Sequence, residues 1–215
     1  IEDGGNKSGI PTVNGAMSFH DNYAGKPLVY CGTVGVLPQE IDGINTSEKR
    51  HKPGDYIIVC GGSVGADGIH GATFSSMELD DNSPATAVQI GDPFTQKRLT
   101  DFLLKARDLG LYRGITDNGA GGLSSSVGEM AEETNGAELY LEQVPLKYPG
   151  LSPFEIVISE SQERMTFAVE ENKKEDFLEL AKRMEVNPAV VGKFHDKGSF
   201  DIYQNKKFLA SLALH

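Results

Sequence analysis

The sequence predicts an α/β fold on a mixed sheet, and three observations predict it. Short β-branched apolar runs alternate with amphipathic helical stretches along most of the chain. The helical stretches carry cap residues at their ends. The chain then closes on strand–turn–strand patterns, which a wholly parallel sheet would not supply.

Taken in order, residues 1–27 are rich in Gly, Asn, Pro and Ser and read as loop with little regular structure. Residues 28–37 (LVYCGTVGVL) are β-branched and apolar on both faces, the pattern of a buried strand. Residues 38–55 are polar, and Lys52-Pro53-Gly54-Asp55 is the clearest break, so a domain boundary is expected there. Residues 56–60 form a second buried strand, opening into a loop, 61–71, with five glycines in eleven residues. That loop is neither a Walker A motif nor a clean dinucleotide fingerprint. Its His70 reads either as a ligand contact or as a hydrogen-bonded structural histidine.

Residues 72–87 read as an acidic surface loop and Val88-Gln89-Ile90 as a short strand. Asp92 suits a helix N-cap and Pro93 the first helical position. The helix should run to about Leu109, with Phe94, Leu99, Phe102, Leu103 and Ala106 inward and Gly110 as the stop. The stretch from Ile115 to Ser124 runs from an apolar lead-in through Asp117 into a glycine turn. Ser126-Val127-Gly128-Glu129 fits a capping box and predicts a helix start there, with Leu123, Val127, Met130 and Ala131 at helical spacing. A strand at 137–141 follows, then a loop at 145–152. Ser152-Pro153-Phe154-Glu155 is a second capping box, opening a short helix through Ile158. Six polar residues, 159–164, interrupt the apolar pattern before a strand at 165–169. Asn172–Glu175 caps a helix whose core face is Phe177, Leu178, Leu180, Ala181 and Met184. A strand at 189–194, a hairpin turn at 195–198, a return strand at 200–203 and a last strand from 208 complete the chain. His195 and His215 read as exposed, and Cys31 and Cys60 as buried reduced thiols rather than a disulfide or zinc framework.

A net charge of −11 argues against a nucleic-acid surface. No apolar run reaches the roughly 20 residues of a membrane span, and no signal peptide is visible, so a cytoplasmic protein is expected. The start at Ile1 reads as a piece cut from a longer protein. An acidic chain that binds a phosphorylated metabolite must do so locally. A glycine turn before a helix gathers backbone N–H groups and a positive dipole end, which suits an anion. Asp117 beside it would repel phosphate directly, but its hard oxygens could hold Mg²⁺, which bridges to phosphate. The alternative is an Asp in a strand-to-helix turn with no ligand. Gln89, at a strand end before a helix N-terminus, can donate to one ligand oxygen and accept from another group, or simply tie down its loop. Glu160, Ser161 and Gln162 offer an acceptor, a hydroxyl and an amide.

Five motifs occur in order: 5–12 (GNKSGIPT), 67–76 (DGIHGATFSS), 88–94 (VQIGDPF), 116–123 (TDNGAGGL) and 159–165 (SESQERM). Together they closely resemble the phosphoribosylformylglycinamidine synthase family, within the aminoimidazole ribonucleotide synthetase superfamily. The motifs at 88–94 and 159–165 argue against other members, such as selenide or thiamine-phosphate kinases. The resemblance implies a three-layer α/β/α C-terminal domain at 53–215, and at 1–52 the tail of an N-terminal synthetase domain. It implies a carbon–nitrogen ligase of purine biosynthesis: ATP phosphorylates the amide oxygen of formylglycinamide ribonucleotide, and ammonia displaces the phosphate. It matches Asp117 to a Mg²⁺ ligand and Gln89, Glu160, Ser161 and Gln162 to substrate-binding positions. Asn118 departs from the Met or Leu expected in relatives and adds a polar group beside the metal position. The catalytic histidine and most ATP contacts would lie upstream of Ile1, so the isolated chain is expected to be inactive. Partners implied are a glutaminase subunit or domain, a small helper subunit and the rest of the synthetase chain. The runner-up reading is a non-catalytic nucleotide-holding or interface half-domain of the same synthetase.

Overall fold

The structure, a computed structural model, describes residues 2–25, 27–41, 43–71, 89 and 91–214. Its centre is a seven-stranded mixed sheet. The strands are β3 (Tyr56–Gly61), β4 (Gly114–Asp117), β5 (Gly136–Tyr140), β6 (Arg164–Val169), β7 (Pro188–Phe194), β8 (Ser199–Gln204) and β9 (Lys207–Ala213), in the spatial order β4-β6-β3-β7-β5-β8-β9. All neighbours are antiparallel except β5 and β8. A separate two-stranded sheet pairs β1 (Glu40–Ile41) with β2 (Ile44–Asn45).

Alternation along β3 builds both layers of the core. Ile57 and Val59 face one side, against Leu123, Val127, Met130 and Ala131 of α3 (Gly122–Thr134) and Ile156 and Val157 of α4 (Pro153–Ile158). Ile58 and Cys60 face the other, against Leu99, Phe102 and Ala106 of α2 (Pro93–Asp108) and Phe177, Leu180 and Ala181 of α5 (Lys174–Arg183). The result is the expected three-layer α/β/α arrangement.

The helix caps explain two of these elements directly. Asp92 accepts the Phe94 N–H ahead of Pro93. Ser152 and Glu155 exchange both bonds of a capping box. The box expected at Ser126 does not form: α3 begins four residues earlier, at Gly122, behind an uncapped Gly121. Gly121 and Gly122 both have positive φ, and a Cβ on Gly122 would stand 2.2 Å from the Ser159 carbonyl oxygen. The glycines thus let the helix start against the 159–161 segment, and Ser126 becomes a buried residue inside the helix.

Several other expectations are corrected. Residues 28–37 are not a buried strand: they join neither sheet, and Val34 is 99% exposed. A run apolar on both faces needs pairing partners and cover, and among the described residues it has neither. Cys31 on this segment is therefore exposed, whereas Cys60 is buried, which pushes its thiol pKa up. Residues 2–8, read as loop, form helix α1 (Glu2–Ser8), which contacts α2. Phe94 is exposed, with the Arg98 guanidinium 4.1 Å above its ring. Asn172 does not cap α5, whose first cap position is Lys173 with no side-chain bond. The turn at 195–198 does not join a hairpin, because β5 lies between β7 and β8. A turn signal reports that the chain reverses, not which strand it lands beside. His195 is mostly buried rather than exposed, and its Nδ1 accepts the Lys197 N–H. The expected acidic loop 72–87, Val88, Ile90 and His215 lie outside the described residues.

Candidate functional site

At the ends of β4 and β6 the chain folds two turns toward each other. Gly119–Gly122 leads from β4 into α3, and residues 159–163 lead from α4 into β6. Gln89 stands between them. Its Nε2 donates to Glu160 Oε2 at 3.0 Å, and its Oε1 accepts from Gln162 Nε2 at 2.6 Å. The other Glu160 oxygen accepts the Gly121 N–H at 3.3 Å. The helix N-terminus expected to cradle an anion thus already holds one of the protein's own carboxylates.

Asp117 lies at the end of β4 and is exposed. Its Oδ1 accepts the Gly119 N–H at 2.9 Å. It lines a cleft of about 360 Å³ with Gly119, Ser161, Gln162 and Glu163, walled on the far side by Leu99 and Leu103 of α2. The structure therefore brings all five sequence-predicted residues together: 89, 160 and 162 by direct hydrogen bonds, and 117, 161 and 162 around one hollow. Ser161 is buried, and its hydroxyl is committed to the protein: it accepts the Gly65 N–H at 3.0 Å and donates to Asp67 at 2.8 Å. Asn118 is buried and turned inward, where its Oδ1 accepts from Ser126 (2.6 Å) and Thr166 (3.0 Å). Asn118 thus ties α3 to β6. His70 is exposed at φ +60, its ring 6.4 Å from Phe154. Among the described residues no group of three His, Cys, Asp or Glu could hold a metal by itself.

Three residues of the site were not singled out from the sequence. Asp67, in the glycine loop, receives Lys147 Nζ at 2.8 Å and the Ser161 hydroxyl, locking that loop to the 159–163 turn. Glu163 sits at φ +55, and its carbonyl accepts the Gly62 N–H at 2.9 Å. A Cβ on Gly61 would come within 2.0 Å of that carbonyl oxygen, so the end of β3 requires glycine. Burial pushes the Glu163 carboxyl pKa up, against the Asp92 N–H, which lowers it. Arg164 is 4% exposed, and burial pulls its guanidinium down to about 10. A polar run between apolar elements was the available signal for Glu163 and Arg164; for Asp67 it was its place at the head of the 67–76 motif.

Burial alone would raise the Asp67 carboxyl, but hydrogen bonds from Lys147 and Ser161 and the Lys147 charge outweigh it and hold the pKa below the usual aspartate value. Its stabilising contribution is thus present above the ordinary value, near 4, and lost as pH falls through the lower folded value. Lys147→Met is expected to flatten the fall of the thermal midpoint below about pH 4, its curve meeting the unsubstituted one in acid. Parallel curves would show that the pair contributes nothing.

A family model described as AIR synthase related protein, C-terminal domain, matches residues 52–205. The chain belongs to that family. Among its curated relatives, the phosphoribosylformylglycinamidine synthase subunit PurL of Staphylococcus haemolyticus is 42% identical over 95% of this chain, and that of Salinibacter ruber 40% over 99%. The chain spans 28% of the length of each. Among solved structures, T. maritima PurL complexed with FGAR superposes at a TM-score of 0.81 with 31% identity, over 98% of this chain and 35% of that one. T. maritima PurL complexed with ATP matches at 0.74 and 28%, over 98% and 33%.

Proposed function

We propose that this chain carries the formylglycinamide ribonucleotide and Mg²⁺ contacts of an ATP-dependent carbon–nitrogen ligase of purine biosynthesis. The carrying observation is the hydrogen-bonded group Gln89–Glu160–Gln162 beside a cleft lined by Asp117, in a chain 98% of which aligns with about a third of T. maritima PurL complexed with FGAR. An amide is a poor electrophile, and turning its oxygen into a phosphate leaving group lets ammonia replace it. The donor set fits Mg²⁺. Asp117 offers a carboxylate on an exposed turn, and Mg²⁺ commonly takes one or two carboxylates with substrate phosphate and water as the rest. Bound there, the ion would neutralise charge between the two phosphate-bearing reactants. Gln89 and Gln162 present amides that read donors and acceptors on the substrate, and Glu160 orients both. Ser161 serves by fixing the turn.

In the same reading, residues 1–52 are the tail of an N-terminal synthetase domain and 53–215 a C-terminal one. The exposed apolar run at 28–37 and a family match that begins at residue 52 support that division. ATP, a catalytic histidine and ammonia from a glutaminase partner, with a small helper subunit, would come from outside this chain, in the cytoplasm. No described helix is long and apolar enough to cross a membrane.

Calorimetry on the full-length synthetase tests the reading. Binding of formylglycinamide ribonucleotide should require Mg²⁺ and weaken in Gln89→Ala. Adenine-nucleotide binding at this site, unaffected by the ribonucleotide, would instead mark a nucleotide-holding half-domain. Turnover of ribonucleotide, ammonia and ATP by the isolated chain would overturn the expectation that it is inactive alone.

A further inference from the structure

Arg164 is a cation buried under the site, 4% exposed, and no carboxylate pairs with it among the described residues. Its Nε donates to the Ser161 carbonyl at 2.8 Å and its Nη2 to the Ser159 carbonyl at 2.5 Å. Its Nη1 is buried with no hydrogen-bond partner among the described residues. The carboxylate whose charge acts on it, Asp67, does so through space and is already paired with Lys147. A chain of net charge −11 thus keeps a buried cation beside its cleft, hydrogen-bonded among the described residues to two backbone carbonyls rather than to a carboxylate. Such an arrangement is costly in isolation, and a fold keeps it where another group repays the cost.

The geometry states what that group gains. The two carbonyls held by Arg164 belong to alternate residues, 159 and 161. Between and beside them, the side chains of Glu160 and Gln162 reach Gln89. Anchoring alternate carbonyls on one rigid guanidinium fixes Glu160 and Gln162 toward Gln89, beside the cleft that counts Gln162 and Arg164 in its wall. The Ser159 carbonyl is further packed against Gly122, at the start of α3. One guanidinium therefore sets the turn against both the helix start and the glutamine pair. A lysine could supply the charge but not the fork.

We propose that Arg164 is the positioning residue of the site: its fork sets the 159–162 turn for an anionic, amide-bearing ligand, and its uncompensated charge offsets that of the ligand's phosphate. The inference rests on the ribonucleotide reading above and adds a residue which that reading does not use.

The test is steady-state kinetics on the full-length synthetase. Arg164→Ala should raise KM for the ribonucleotide about tenfold or more, as expected for lost charged hydrogen bonds, while leaving KM for ATP nearly unchanged. Millimolar guanidinium, filling the vacated space, should restore part of the loss. An unchanged ribonucleotide KM in a folded variant overturns the inference. So does an equal rise for both substrates without guanidinium rescue, which would mark a merely structural residue. Should Arg164→Ala not fold, Arg164→Lys carries the test: it keeps the charge, loses the fork and should show an intermediate KM, an unchanged value again overturning the inference. Gln89→Ala run in parallel separates the failures. If it too leaves the ribonucleotide KM unmoved, the site reading fails; if it alone raises KM, only the role of Arg164 does.

Discussion

Asp117→Asn is expected to abolish Mg²⁺-dependent binding of the ribonucleotide in the full-length synthetase, weakening it about 100-fold or more. Even residues that only orient metal ligands are worth 10- to 100-fold, so a direct ligand should lie at or beyond the top of that range. The substitution is nearly isosteric. The amide oxygen can still accept the Gly119 N–H that now goes to Oδ1, so the turn into α3 should survive. What disappears is the negative charge facing the cleft. The thermal midpoint of the variant should lie within a few degrees of the parent without Mg²⁺ and, unlike the parent, should fail to rise when Mg²⁺ and ribonucleotide are added together. If titration calorimetry finds the same affinity in variant and parent, the cation is held elsewhere and the site must be redrawn.

Phe167→Ala should cost about 3–5 kcal/mol, the largest single loss of stability expected in the chain. Phe167 is fully buried at the centre of the α2–α5 face. Its ring meets Phe102, Phe177 and Tyr112 edge-on at centroid distances of 5.9, 5.2 and 5.2 Å. Each such pair adds to the burial term, and the rings around it are too large to close over the void. The residue also follows Thr166, which holds Asn118, on β6 and pairs with Ile58 of β3. Loosening it should therefore weaken ligand binding as well as stability. Urea unfolding would measure the loss; a difference under about 1 kcal/mol would mean that the aromatic cluster is not the keystone of that layer.

The sequence made the helices and most strands readable because their signals are local. Asp92-Pro93 and the Ser152–Glu155 box fix chain direction within four residues, and the structure keeps both. Residues 28–37 misled because a two-sided apolar run promises burial without naming the surface that supplies it. The turn at 195–198 misled because strand adjacency is a property of the whole sheet. The candidate residues 89, 117 and 160–162 were legible as chemistry, and more so as a motif set. Their contacts were not: no local pattern says that Glu160 spans from Gln89 to Gly121, or that Ser161 spends its hydroxyl on Gly65 and Asp67.

The placement of β3 bears on how the molecule is made. This strand hydrogen-bonds on both edges to β6 and β7, segments synthesised roughly a hundred residues after it. Until those segments leave the ribosome, a wholly apolar strand waits with both edges bare, and the glycine loop at its end has nothing to dock on. Folding should accordingly come late in translation, with the nascent chain dependent on chaperone cover. Any truncation that stops short of residue 194 should yield insoluble material rather than a smaller working unit.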